Sequence, residues 1–227
     1  VILLAKNEIG YHNLCKLSSK GHLEGFYYNP RIDKDLLEEY KEGLICLSGA
    51  SGGIVPLSIV EGNEDLLKTE IEWHKKVFKD DYYLELQRLQ MTEEDLQKDG
   101  IYQESWLEQN YLISIEKQNK VERRLLELSK EYEIPCVATN ASHYLEREDW
   151  RAHELILNIQ SGEPCEIWEE DSRGNKKQRI PNPKRRTFFS HEFYFKSPEQ
   201  MQELFSDLPE ALETSLKIAE KCHVELD

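Results

Sequence analysis

The chain has 227 residues, 39% hydrophobic and 10% aromatic, enough apolar material for one large packed domain or two small ones without covalent staples. Its 29 basic and 44 acidic residues leave a formal charge of −15, and mean hydropathy is −0.69, so neither a uniformly basic surface nor a membrane-embedded chain fits. Five scattered cysteines (Cys15, Cys46, Cys136, Cys165, Cys222) form no CxxC pair and are odd in number, which reads as packing thiols in a reducing compartment rather than a disulfide or zinc framework.

The opening run Val1-Ile-Leu-Leu-Ala5 stops at Lys6, far short of a signal-peptide core or a membrane span, and reads as a strand already in progress. With no initiator Met and a strand-like Val224-Glu-Leu-Asp227, the expectation is a piece of a longer protein. Ile9, Leu14 and Leu17, with Tyr11 and Cys15, predict a helix from Asn7 to about Gly21. Asp33 caps a short helix to Tyr40, and Gly43-Leu-Ile-Cys-Leu-Ser48 is a compact apolar run typical of a strand buried on both faces. Pro56 to Glu61 suits a short helix after the Gly52-Gly53 break, and Asn63 caps a helix carrying Leu66, Leu67, Ile71 and Val77. Tyr82-Tyr-Leu-Glu-Leu86 reads as the next strand. After a polar, acidic stretch around Met91 to Asn110, a long helix through Ile115, Val121, Leu125 and Leu128 leads into the strand Pro135-Cys-Val-Ala-Thr139.

Beyond Arg147, Ala152, Leu155, Ile156 and Ile159 mark a helix to Gly162, and residues 163–186 lose all periodicity, as an exposed loop or hairpin would. Phe193-Tyr-Phe195 reads as a short strand. Ser197-Pro-Glu-Gln200 opens one helix as a cap with Pro at the first position, and Pro209 opens the last. Alternating helices and short apolar strands predict an α/β fold with mostly parallel strands, whether barrel or open sheet. Functional groups then gather at strand carboxyl ends, where Glu85-Leu-Gln87 and Thr139-Asn-Ala-Ser-His143 fall.

If Leu84 and Leu86 share one face, Glu85 points to the other, and an inward carboxylate needs a cation, a proton or a hydrogen-bond network. A metal meets that need; the plainer alternative is a Glu exposed at a strand end or paired with Arg88. His143, just past a buried strand, is placed to ligate a metal or act as acid or base, although a hydrogen-bonded structural role is the commoner fate of such a residue. Lys176, Lys177, Arg179, Lys184, Arg185 and Arg186 form a basic run in an acidic chain, suited to phosphate backbones or else to a solvated hairpin. Gly49-Ala-Ser-Gly-Gly53 lacks both the Walker lysine and dinucleotide spacing. From the residues alone, the reading stops at an α/β domain with one possible metal site.

A linked set of strings carries a resemblance further: Leu3-Leu-Ala-Lys-Asn-Glu-Ile-Gly-Tyr-His-Asn-Leu14, Gly25-Phe-Tyr-Tyr-Asn-Pro-Arg-Ile-Asp33, Glu42-Gly-Leu-Ile-Cys-Leu-Ser-Gly49, Tyr83-Leu-Glu-Leu-Gln87, Val137-Ala-Thr-Asn140 and Ala152-His-Glu154. In order and spacing they resemble the N-terminal polymerase-and-histidinol-phosphatase (PHP) domain of the bacterial replicative DNA polymerase III alpha-subunit family. The likeness continues through Glu192-Phe-Tyr-Phe-Lys-Ser197 and Leu208-Pro-Glu-Ala-Leu212 toward the palm, covering nearly the whole chain.

The resemblance implies a distorted seven-stranded α/β barrel, incomplete at the N-terminus, over residues 1–162. A basic loop or hairpin and a mainly helical connection toward the polymerase palm would follow over 163–227. It implies a parent DNA-directed DNA polymerase whose magnesium-binding aspartates lie beyond Asp227, so the segment lacks the polymerase active site, and whose first PHP ligands lie before Val1. Glu85 matches the family's strand carboxylate ligand and His143 the His of its final Asp-x-His motif, where zinc or manganese would sit; the Asp position is Ala141, which cannot ligate. A degraded, non-catalytic scaffold and docking domain is therefore the leading expectation, and an active metal-dependent phosphoesterase or 3′→5′ exonuclease the alternative. Implied partners are primer-template DNA, deoxynucleoside triphosphates, a proofreading exonuclease subunit, a sliding clamp and other replisome subunits, in the cytoplasm and without a membrane.

Overall fold

Four short apolar runs make one sheet in a computed structural model that describes residues 1–170 and 173–225. They are β1 (Ile2–Ala5), β2 (Leu44–Leu47), β3 (Tyr82–Leu86) and β4 (Cys136–Ala138), in that spatial order. The helices, in chain order, are α1 (Glu8–Leu23), α2 (Lys34–Glu39), α3 (Ile54–Glu61), α4 (Glu64–Phe78), α5 (Glu93–Lys98), α6 (Ser105–Tyr132), α7 (Trp150–Ser161), α8 (Pro198–Leu204) and α9 (Pro209–Lys221). β5 (Glu166–Glu170) and β6 (Lys176–Pro181) form a separate antiparallel hairpin.

Short polar side chains start the helices where the sequence places them. Asn7, Asp33 and Asn63 each accept a hydrogen bond from a backbone N–H in the first turn, of Gly10, Leu36 and Leu66 at 3.0, 2.8 and 3.1 Å. Each bond satisfies a donor that the helix itself leaves without a partner.

The chain divides into two compact units. The first comprises Val1–Gln87, Lys117–Thr139 and the chain from Glu199 onward; the second comprises Arg88–Glu116 and Asn140–Pro198. In the first, β2, β3 and β4 are parallel, whereas β1 runs antiparallel to β2, with Ile2 opposite Leu47 and Ala5 opposite Leu44. Alternate strand residues enter two apolar clusters. Leu44, Cys46, Leu84 and Leu86 pack with Leu67 and Ile71 of α4, while Ile45, Leu47, Tyr83 and Val137 pack with Ile218 of α9. Coverage on both faces explains why these strands read as continuous apolar runs.

The second unit contains α5, α7, the hairpin and the first turns of α6. Its apolar cluster, Met91, Leu96, Ile101, Leu107, Tyr111 and Ile115, is drawn largely from the stretch that reads as merely polar. There Thr92 caps α5, its hydroxyl accepting from Asp95 N at 3.1 Å, and three acidic residues occupy the first turn, where they favour the helix dipole. Met91, Leu96 and Ile101 are too widely spaced to show a helical period, whereas Leu107, Tyr111 and Ile115 recur every fourth residue along α6.

One expected strand is not formed, and the described half of another lies outside any strand. Phe193-Tyr-Phe195 makes a single parallel bridge, Tyr144 with Tyr194, because its neighbour is a short turn rather than a strand able to continue a ladder. Residues 222–225 lie outside any strand, although His223 N donates to Lys6 O at 2.8 Å; Leu226 and Asp227 lie outside the described residues. The class is α/β, with six strands among the described residues, four in the sheet and two in the hairpin.

Candidate functional site

Strand alternation sends Leu84 and Leu86 into one apolar cluster and Glu85 to the opposite face, where it pairs across the sheet with Val137. Glu85 is 3% exposed, so it is not a solvated strand-end carboxylate. Its Oε1 accepts from the Thr139 hydroxyl at 2.7 Å and from Gln87 Nε2 at 3.0 Å, and the same Nε2 lies 3.1 Å from Thr139 Oγ1, so three side chains close a triangle. The Glu85 backbone N–H donates to Ser48 Oγ at 2.9 Å. Ser48, Gln87 and Thr139 directly follow β2, β3 and β4, at the carboxyl ends where the sequence pattern places the functional groups.

Glu85 Oε2 is buried and has no hydrogen-bond partner. A buried polar atom left without a partner costs free energy, so Oε2 is the one open position of this carboxyl. The chain turns back sharply after Ser48: at Gly53 a Cβ would stand 2.5 Å from Ser48 O, so glycine is needed to bring the start of α3 this close.

His143, in the second unit, is exposed, and its backbone N–H donates to Phe193 O at 2.7 Å. Its ring meets Phe188 and Phe193 edge-on, at 4.9 and 5.5 Å between centroids, and lies 5.6 Å from the ring of His153. His153 reads as one scattered histidine among several in the sequence; α7 places it beside His143. Burial first, then the neighbouring imidazole, lower its pKa. Among the described residues no group of three or more His, Cys, Asp or Glu side chains is arranged to hold a metal ion. Glu85 supplies one unpartnered donor, and Ala141 none; these residues do not make a complete ligand set.

The basic run divides. Lys176, Lys177, Arg179, Lys184 and Arg186 are exposed. Arg185 turns inward, its side chain 7% exposed, binding Glu104 through Nη1 at 2.7 Å and Nη2 at 2.5 Å and Glu154 through Nε at 3.1 Å, with its guanidinium over the Trp106 ring. Arg185 is thereby removed from the set able to meet phosphate: its charge is already matched in a partly buried network.

A further buried cluster has no counterpart in the sequence reading. His191 Nδ1 bonds Asp99 Oδ2 at 2.9 Å, Arg147 Nη2 bonds the same oxygen at 2.8 Å, and the imidazole lies flat on Trp150. Burial lowers the His191 pKa. For Asp99, burial alone would raise it, but the bonds from His191 and Arg147 hold the carboxyl below its ordinary value.

Residues 1–89 match the PHP domain family. Over its entire length the chain is 49% identical to DNA polymerase III subunit alpha of Chlamydia pneumoniae, covering 18% of that protein. It is 44% identical to the same subunit of Borreliella burgdorferi over 98% of the chain and 16% of the relative, and 34% identical to that of Thermus aquaticus over 99% and 15%. The chain thus spans less than a fifth of the length of these relatives. By these matches the sequence is similar, over its whole length, to a segment of DNA polymerase III alpha subunits, and residues 1–89 carry PHP-domain sequence.

Proposed function

We propose that the protein is the PHP-bearing portion of a replicative DNA polymerase alpha subunit and acts there as a non-catalytic scaffold and docking domain. Residues 1–162 belong to a PHP-type barrel and residues 163–227 lead toward the palm. The whole subunit carries out template-directed DNA synthesis on primer-template DNA in the cytoplasm, with magnesium at its polymerising centre. A proofreading exonuclease and a sliding clamp are among its partners.

The observation that carries the scaffold reading is Ala141: a methyl group stands where the family's final motif has its ligating Asp. Lys176, Lys177, Arg179, Lys184 and Arg186 contact phosphate in this proposal, their exposure and charge being its support.

A second reading, a metal-dependent phosphoesterase or 3′→5′ exonuclease, is favoured by one observation, the unpartnered Glu85 Oε2. Incubating the protein with 3′-labelled single-stranded DNA and manganese or zinc separates the two. The scaffold reading expects no shortening with the wild type. Shortening that disappears in both Glu85→Ala and His143→Ala would establish the second reading instead.

A further inference from the structure

The hairpin is irregular in a way that sorts its charges. Trp168 pairs with Arg179 and Glu170 with Lys176, so two steps along β5 match three along β6, a bulge of one extra residue. Strict alternation would put Lys176 and Arg179, three apart, on opposite faces. The bulge brings both to the face of Trp168. Lys176 Nζ lies 5.6 Å and the Arg179 guanidinium carbon 5.5 Å from the indole centroid, while Trp168 is 44% exposed.

An indole left this open on a two-stranded ribbon is not a core residue. Arg179 is paired with Glu166 at 3.5 Å, but both side chains are more than half exposed, and such a pair is readily exchanged for another anion. Lys177 stands exposed beside them. An aromatic face flanked by exposed cations, in a chain of net charge −15, matches one ligand chemistry closely: an unpaired base carrying its own phosphates. A duplex offers the cations its backbone but buries its base faces; an acidic peptide offers charge but nothing flat to stack.

We propose that Trp168, with Lys176 and Arg179, forms a stacking platform for a base of single-stranded nucleic acid. The platform rests on the reading that this basic segment contacts phosphate, and it adds that the strand met here is unpaired. The base lies on the indole while Lys176 and Arg179 move from the ring onto the flanking phosphates.

The test is fluorescence-anisotropy titration of the protein with labelled oligothymidylate and, separately, with a duplex of equal length at low salt. Trp168→Ala is expected to weaken oligothymidylate binding about tenfold, Trp168→Phe to hold it within about twofold, and neither to move duplex binding. Charge reversal at Lys177 and Lys184 together is expected to weaken binding of both probes. If charge reversal weakens both probes and Trp168→Ala changes neither, the platform is overturned and phosphate contact stands. If charge reversal changes neither, or the wild type binds no oligothymidylate, both are overturned. Equal weakening of duplex and single strand by Trp168→Ala overturns the platform. So does a polyglutamate peptide that displaces oligothymidylate from the wild type and binds Trp168→Ala tenfold less well, about the loss expected of the stacked base itself.

Discussion

His191 lies flat against Trp150, with ring centroids 3.7 Å apart and planes 9° from parallel, while its Nδ1 bonds Asp99 and its Nε2 is buried without a partner. With Nδ1–H donating to the carboxylate, a second proton on Nε2 would have no acceptor.

That relationship makes the second unit acid-sensitive. Asp99, Arg147 and Glu154 influence the ring, and burial outweighs the carboxylates, so His191 takes its proton in the folded protein only below the ordinary 6.5 at which the unfolded chain takes it. The unfolded state therefore binds more protons across that interval; the contribution is full above about 6.5 and is lost as pH falls. Thermal unfolding of the second unit, followed by near-UV circular dichroism between about pH 7.5 and about pH 5.5, is expected to show a falling midpoint, less steep in His191→Phe. An unchanged slope in that variant would mean the ring is already charged or not buried.

Arg185 and its neighbours are expected to behave differently although all three carry a positive charge. Arg185→Ala leaves Glu104 and Glu154 partly buried without their cation and is expected to cost about 3 to 5 kcal/mol. Lys184→Ala and Arg186→Ala change exposed side chains and are expected to stay within about 0.5 kcal/mol. Urea unfolding of the three variants gives the comparison.

Thr139 and Gln87 both act on one oxygen of Glu85. Thr139→Val keeps the shape, removes the 2.7 Å bond and leaves Oε1 with one donor fewer, at an expected cost of about 1 to 3 kcal/mol. Thr139→Ser, which retains the hydroxyl, is expected to recover most of that loss in the same urea experiment. A loss in Ser with none in Val would show that the methyl, not the hydroxyl, holds the site.

Much of the first unit is written locally. The caps Asn7, Asp33 and Asn63 and the doubly covered strands follow from nearest-neighbour chemistry, and the alternation Leu84-Glu85-Leu86 puts Glu85 on the face opposite the two leucines while leaving open whether that face is buried. What stayed hidden depends on residues far apart in the chain. Arg185 sits between Lys184 and Arg186 and looks like them; its partner Glu104 is 81 positions away. Asp99 and His191 are separated by 92 positions, and neither is marked by a motif. Phe193-Tyr-Phe195 has strand composition, but a strand requires a ladder, and composition does not supply the neighbour.

Metal content bears most directly on the proposed scaffold role. Elemental analysis of the protein purified without chelator, beside the Glu85→Ala, His143→Ala double variant, is expected to find no stoichiometric zinc or manganese in either. Two or more equivalents in the wild type, lost in the double variant, would contradict the account and show a working metal centre despite Ala141.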